Sequence, residues 1–128
     1  MNFTILITAP VFGSQGAYSA YQFCKAALTK NQTITQIFFY GAGVYNANQL
    51  VSPPTDETNL VKLWQDLAKQ YSIKLYVCVA AAQRRGVLDE QEANQLQMHA
   101  NLAERFVIAG LGQLIEAIST CDRFITFN

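Results

Sequence analysis

The sequence predicts an α/β fold of three layers, a five-stranded and mostly parallel sheet with helices on both faces, spread over residues 1–128 as a single domain. Three observations predict it. Short apolar runs and helically patterned segments alternate from one end of the chain to the other, the order that right-handed βαβ crossovers require. The run Ile37-Phe38-Phe39-Tyr40 is apolar at successive positions, as strands covered on both faces are, whereas a half-solvated strand alternates. A chain of 128 residues with no linker or repeat holds one core, burying about two-thirds of the surface it exposes when unfolded.

The elements follow in order. Phe3 to Thr8 reads as the first strand and Gln15 to Lys30 as a helix, with Tyr18, Tyr21, Phe23, Ala26 and Leu28 as its core side. Thr33 to Tyr40 is the second strand. Ser52-Pro53-Pro54-Thr55 marks a turn, and the helix Asn59 to Tyr71 follows it. Leu60, Leu63, Trp64, Leu67, Ala68 and Tyr71 share one face of that helix, opposite Lys62, Gln65, Asp66 and Lys69. The third strand runs from Lys74 to Val79 or Ala80. Asp89, followed three residues later by Glu92, has the form of a capping box, which starts a helix reaching about Met98. Phe106 to Ala109 is a short fourth strand. Gly110-Leu111-Gly112 turns into a helix from Gln113 to Thr120 with Leu114, Ile115 and Ile118 inward, and Arg123 to Phe127 closes the sheet.

Composition narrows the function. Nine basic and nine acidic residues give a formal net charge of zero, so the chain lacks the positive footprint by which proteins hold nucleic acid. Only 14% of residues are charged while 51% are hydrophobic, too little polarity to cover a small domain, which predicts that part of the surface meets other subunits. No run approaches the ~18 apolar residues of a membrane span, and no basic region precedes the apolar N-terminal stretch; a cytoplasmic protein is expected. Three cysteines, Cys24, Cys78 and Cys121, form no CxxC pair and have no histidine cluster beside them. Neither a disulfide framework nor a zinc site is indicated, so any thiol chemistry belongs to a single cysteine.

Cys78 is the candidate. It stands where the apolar run Lys74-Leu75-Tyr76-Val77 meets small residues and then Arg84 and Arg85. The end of a parallel strand is where open α/β sheets present their chemistry, and helix N–H groups and guanidinium charge are features that stabilise thiolates. The competing reading is a buried thiol packed as a small hydrophobe. Arg84 and Arg85 have an equally plain role as solvated or interface cations. In a parallel sheet the segments Pro10–Gly16, Gly41–Ala47 and Ala80–Gly86 open at one edge, which places Cys78 below a pocket walled by two glycine-bearing loops.

Other motifs carry less. Gly13-Ser14-Gln15-Gly16 matches neither GxGxxG nor GxxxxGK[ST], so its glycines and those of Gly41-Ala42-Gly43 serve strand-to-helix turns and no nucleotide is expected. His99, the only histidine, reads as an exposed residue at a helix end. Cys24 falls within the first helix and reads as packing; Cys121 precedes the last strand and ranks below Cys78.

Several blocks together are specific: Thr8-Ala9-Pro10 with Gly13-Ser14-Gln15; Phe38-Phe39-Tyr40 with Gly43-Val44-Tyr45-Asn46-Ala47-Asn48-Gln49-Leu50; Cys78-Val79-Ala80-Ala81-Ala82 with Arg84-Arg85-Gly86-Val87; and Gly110-Leu111-Gly112 with Thr120-Cys121-Asp122-Arg123. Through them the chain resembles the sulfurtransferase subunits of the DsrE/DsrF-like family from end to end. The resemblance implies sulfur relay. Cys78 would carry a persulfide sulfur received from a TusA-like donor and pass it to a TusE-like acceptor that serves 2-thiolation of the tRNA wobble uridine. It also implies TusB-like and TusC-like companions in a heterohexamer, with no metal, no cofactor, no membrane and no direct nucleic-acid contact. Two alternatives stay open: a carrier of the same fold working in sulfur oxidation, and a non-catalytic assembly subunit in which Cys78 only packs.

Overall fold

A computed structural model describes residues Met1–Asn128. Its strands are β1 Asn2–Ile7, β2 Thr33–Phe39, β3 Lys74–Cys78, β4 Phe106–Ala109 and β5 Arg123–Phe127. They form one sheet in the order β4-β3-β2-β1-β5, and every ladder is parallel. Its helices are α1 Gly16–Thr29, α2 Leu60–Tyr71, α3 Val79–Arg84, α4 Glu90–Leu96 and α5 Leu111–Thr120, and a 3-10 segment covers Gly41–Ala47. No helix is long and apolar enough to cross a membrane.

The strand order explains an uneven division of helices. The chain steps along the sheet in one direction from β1 to β4, then returns across it to β5 by α5. Because each right-handed crossover puts its helix on a face set by the direction of the step, the return helix lies opposite to the others. Hydrogen bonds confirm this: Thr4 Oγ1 donates to Ala117 O at 3.3 Å and Gln36 Nε2 donates to Gln113 O at 3.0 Å. Against the other face pack α1 and α2, where Trp64 is fully buried and meets Tyr21 and Phe39 edge-on, each with ring centroids 5.5 Å away. Edge-to-face pairs of this kind add about 0.5–1.5 kcal/mol each beyond the area they bury.

Helix boundaries follow local chemistry. Asn59 caps α2 by accepting from Lys62 N, and the expected capping box at Asp89 forms in both directions with Glu92. Helix α4 ends at Leu96, with Gln97 in the left-handed region, so it stops before Met98.

Two helix faces differ from expectation. In α1 the buried residues are Ala17, Ala20, Tyr21, Cys24, Ala27 and Leu28, while Tyr18 and Ala26 are exposed: small side chains let the helix sit close to the sheet. Helix α5 begins at Leu111, capped by Gly110, and turns Leu114 and Ala117 inward, leaving Ile115 63% exposed. A lone short helix covers less than a five-stranded face, and Val107 and Phe124 on that side are exposed as well.

Candidate functional site

Cys78 is the last residue of β3 and is paired in register with Ala109 of β4. The chain turns there without a loop: Cys78 keeps an extended conformation (φ −61°, ψ 125°) and Val79 is already the first residue of α3. The expected segment Ala80–Gly86 is therefore mostly helix. Alanine has the highest helix propensity of any residue, which makes Ala80-Ala81-Ala82 a helical signal. The first N–H groups of a helix lack acceptors within it, and Cys78 is the residue that immediately precedes them.

Side chains alternate across a strand. Since Gln36 faces α5 and is in register with Lys74, Cys78 points to the α5 side along with Lys74 and Tyr76. It is 3% exposed, at the C-terminal edge of the sheet where the sequence places it. The two arginines do not join it. Arg84 is exposed at the far end of α3, and Arg85 turns back so that Nη1 donates to Ala81 O at 3.2 Å.

The three segments expected at this edge do converge, but not as two open loops. The 3-10 segment is held down onto β1 and packs against α3 and β3. Tyr40 N donates to Ile7 O at 3.0 Å, and Gly43 lies so close that a Cβ on it would stand 2.0 Å from Ile7 O. Asn46, fully buried, is the polar hub beneath: Nδ2 donates to Ala9 O and Gly43 O at 3.1 and 2.9 Å, and Oδ1 accepts from Trp64 Nε1 at 3.2 Å. A second hub, Asn101, accepts from Leu88 N at 2.8 Å and donates to Gly86 O at 2.9 Å and Asn48 Oδ1 at 3.2 Å. The sequence alone assigns neither asparagine a role, because all but one of their partners lie more than ten residues away along the chain.

The largest cavity, about 670 Å³, lies on the α1 side between Phe12, Gly13, Ser14, Gln15, Tyr18 and Thr58. Cys78 does not line it, which corrects the expected pocket above the cysteine. His99 is exposed, as expected, and Cys121 lies at the opposite edge of the sheet with Sγ 3.5 Å from Ile118 O.

Cys24 is fully buried between α1 and the sheet, and burial pushes its thiol from near 9 up to about 12. Such a thiol stays protonated and inert at neutral pH. The sign of the linkage follows. Ionisation belongs to the unfolded chain, so the stability tied to Cys24 is complete below about pH 9 and is lost as pH rises toward about 12. Urea midpoints measured from about pH 8 to about pH 11 should fall less steeply in Cys24→Ala than in the native chain; equal slopes would refute this assignment.

The family model described as DsrE/DsrF-like matches residues 1–127, and the chain belongs to that family. The fold is likewise that of a solved structure, the ychN protein from E. coli, with a TM-score of 0.78 at 15% identity over 98% of both chains. A protein of unknown function from Methanobacterium thermoautotrophicum gives a TM-score of 0.67 at 12% identity over 98% of this chain and 97% of its own. Among curated relatives, the sulfurtransferase TusD of Photorhabdus laumondii is 47% identical over 128 residues, covering 99% of this chain and 98% of that protein. The chain is a sulfurtransferase.

Proposed function

We propose that the protein is a relay subunit in which Cys78 carries the sulfur, working in the cytoplasm as a single domain. The observation that carries this reading is the position of Cys78: it ends a parallel strand at the C-terminal edge and directly precedes a helix N-terminus, which neither Cys24 nor Cys121 does. The chemistry is an exchange at sulfur. The Cys78 thiolate attacks the terminal sulfur of the donor's cysteine persulfide, a bond forms between Cys78 Sγ and that sulfur, and the donor's S–S bond breaks with its cysteine leaving as thiolate. A second such exchange hands the sulfur to the acceptor's cysteine and returns Cys78 to a thiolate, so the relay consumes no oxidant.

The donor is a TusA-like protein and the acceptor TusE-like, with 2-thiolation of the tRNA wobble uridine downstream. TusB-like and TusC-like subunits complete a heterohexamer. The likeness to sulfurtransferase TusD over nearly the full chain and the low charge content support this assignment. Burial of Cys78 to 3% exposure suits a carrier that must shelter a reactive sulfur from oxidants, and equally the packing role, so one experiment decides. Donor charged with labelled sulfur is mixed with the assembled complex, and the acceptor is added afterwards. Label appearing first on this chain and then on the acceptor is expected. Label reaching the acceptor without passing through this chain would leave it an assembly role.

A further inference from the structure

We propose that Asn101 is a positioning residue for Cys78, an inference that rests on Cys78 being the sulfur carrier. Helix α3 has only six residues and no side-chain cap at its start, and helices so short do not hold themselves in water. Its placement comes from packing against the 3-10 segment, with Ala81 and Ala82 fully buried, and from its two ends. At the start, Cys78 is fixed by its ladder to β4. At the exit the chain turns through Gly86 in the left-handed region (φ 72°), with Val87 N bonded to Ala82 O at 2.9 Å. Beyond this turn the Asn101 side chain takes hold, using all three of its hydrogen bonds to fasten Gly86 and Leu88 to Asn48.

Asn48 directly follows the 3-10 segment, which Asn46 and Gly43 fix on β1 and α2. The backbone of Asn101 strengthens the same junction, since its N–H donates to Leu88 O at 3.0 Å and its carbonyl accepts from Gln49 N at 2.8 Å. Asn101 is thus the side chain that ties the exit of α3 to an anchored part of the sheet edge. Through α3 it helps to hold the backbone segment that follows Cys78. It touches no reacting atom and acts only by holding that helix.

The test uses the assembled complex, a small persulfide donor such as glutathione persulfide, and amide hydrogen exchange. In Asn101→Ala, which removes three hydrogen bonds, exchange across residues 79–86 should quicken at least about tenfold, the lower end of what three such bonds contribute. Sulfur uptake at Cys78 should slow by about tenfold, within the range that sub-ångström misplacement of a reacting group produces. A control variant, Thr4→Val, removes a buried bond to α5 and should leave both readings within about twofold of the native protein. Asn48→Ala, which cuts one of the three bonds together with the bond from Leu50 N to Asn48 Oδ1, should give about a threefold change in each and serves if Asn101→Ala does not fold. Unchanged exchange across α3, or quickened exchange with unchanged uptake, overturns the proposal. A native chain that takes up no sulfur at Cys78 overturns the carrier reading instead, and the exchange data still show whether Asn101 holds the helix.

Discussion

Cys78→Ser takes up no persulfide sulfur and still folds. The hydroxyl that replaces the thiol cannot form the S–S bond on which the relay depends, so uptake on this chain should fall to background rather than by a measurable factor. The structural cost is modest. Serine is close to cysteine in volume, and at a position 3% exposed the new hydroxyl costs about 1–2 kcal/mol if it lacks a partner. Cys78→Ala avoids that cost and should behave alike in the sulfur assay. Cys24→Ala and Cys121→Ala should charge normally, because Cys24 is sealed in the core and Cys121 lies at the other edge of the sheet. Radiolabelled sulfur retained by Cys78→Ser at the native level would remove Cys78 from the reaction.

The second large effect is on the scaffold. Gly43→Ala places a methyl group 2.0 Å from Ile7 O and 2.8 Å from Ile7 C, both backbone atoms of the central strand β1. Neither can move aside as the end of a flexible side chain could. The 3-10 segment must lift off the sheet, straining the bond from Asn46 to Ala9 O and that from Trp64 Nε1 to Asn46 and the packing of that segment on α3. A loss of about 3 kcal/mol in urea unfolding is expected, at the upper end of overpacking effects, together with slower sulfur uptake by whatever fraction remains folded. A denaturation midpoint equal to that of the native chain would show that the segment relaxes freely and contributes little to the site. Gly41→Ala is the informative contrast. Its residue has φ 55° with no atom near the added Cβ, so the strain there is conformational alone, about 1 kcal/mol.

Most of the fold is legible in the sequence because the periodic elements are. Phe106–Ala109 and Arg123–Phe127 are strands with the expected bounds, and Asp89 caps its helix as the capping-box spacing predicts, while Asn59, expected as the first residue of its helix, proves to be its cap. What fails is instructive. Tyr18 and Ile115 look like core residues by hydrophobicity, yet α1 packs through Ala17, Ala20, Cys24 and Ala27, and α5 turns Ala117 inward. Close approach of a helix to a sheet selects small residues, which a hydrophobicity pattern undervalues. The strand-end position of Cys78 is legible; its depth is not, because burial there comes from neighbours distant in sequence. Asn46 and Asn101 escape notice for the same reason. An asparagine between turn residues reads as loop polarity until the carbonyls it serves are placed around it.

The central claim is that Cys78 carries sulfur, and intact-mass analysis tests it most directly. The chain, assembled with its companion subunits, is mixed with a persulfide-charged donor and mapped by peptide without reduction. A reducible gain of a single sulfur atom on the peptide containing Cys78 is the expected result. A demonstrably charged donor that leaves Cys78 unmodified in the assembled complex would contradict the claim and give the cysteine a packing role.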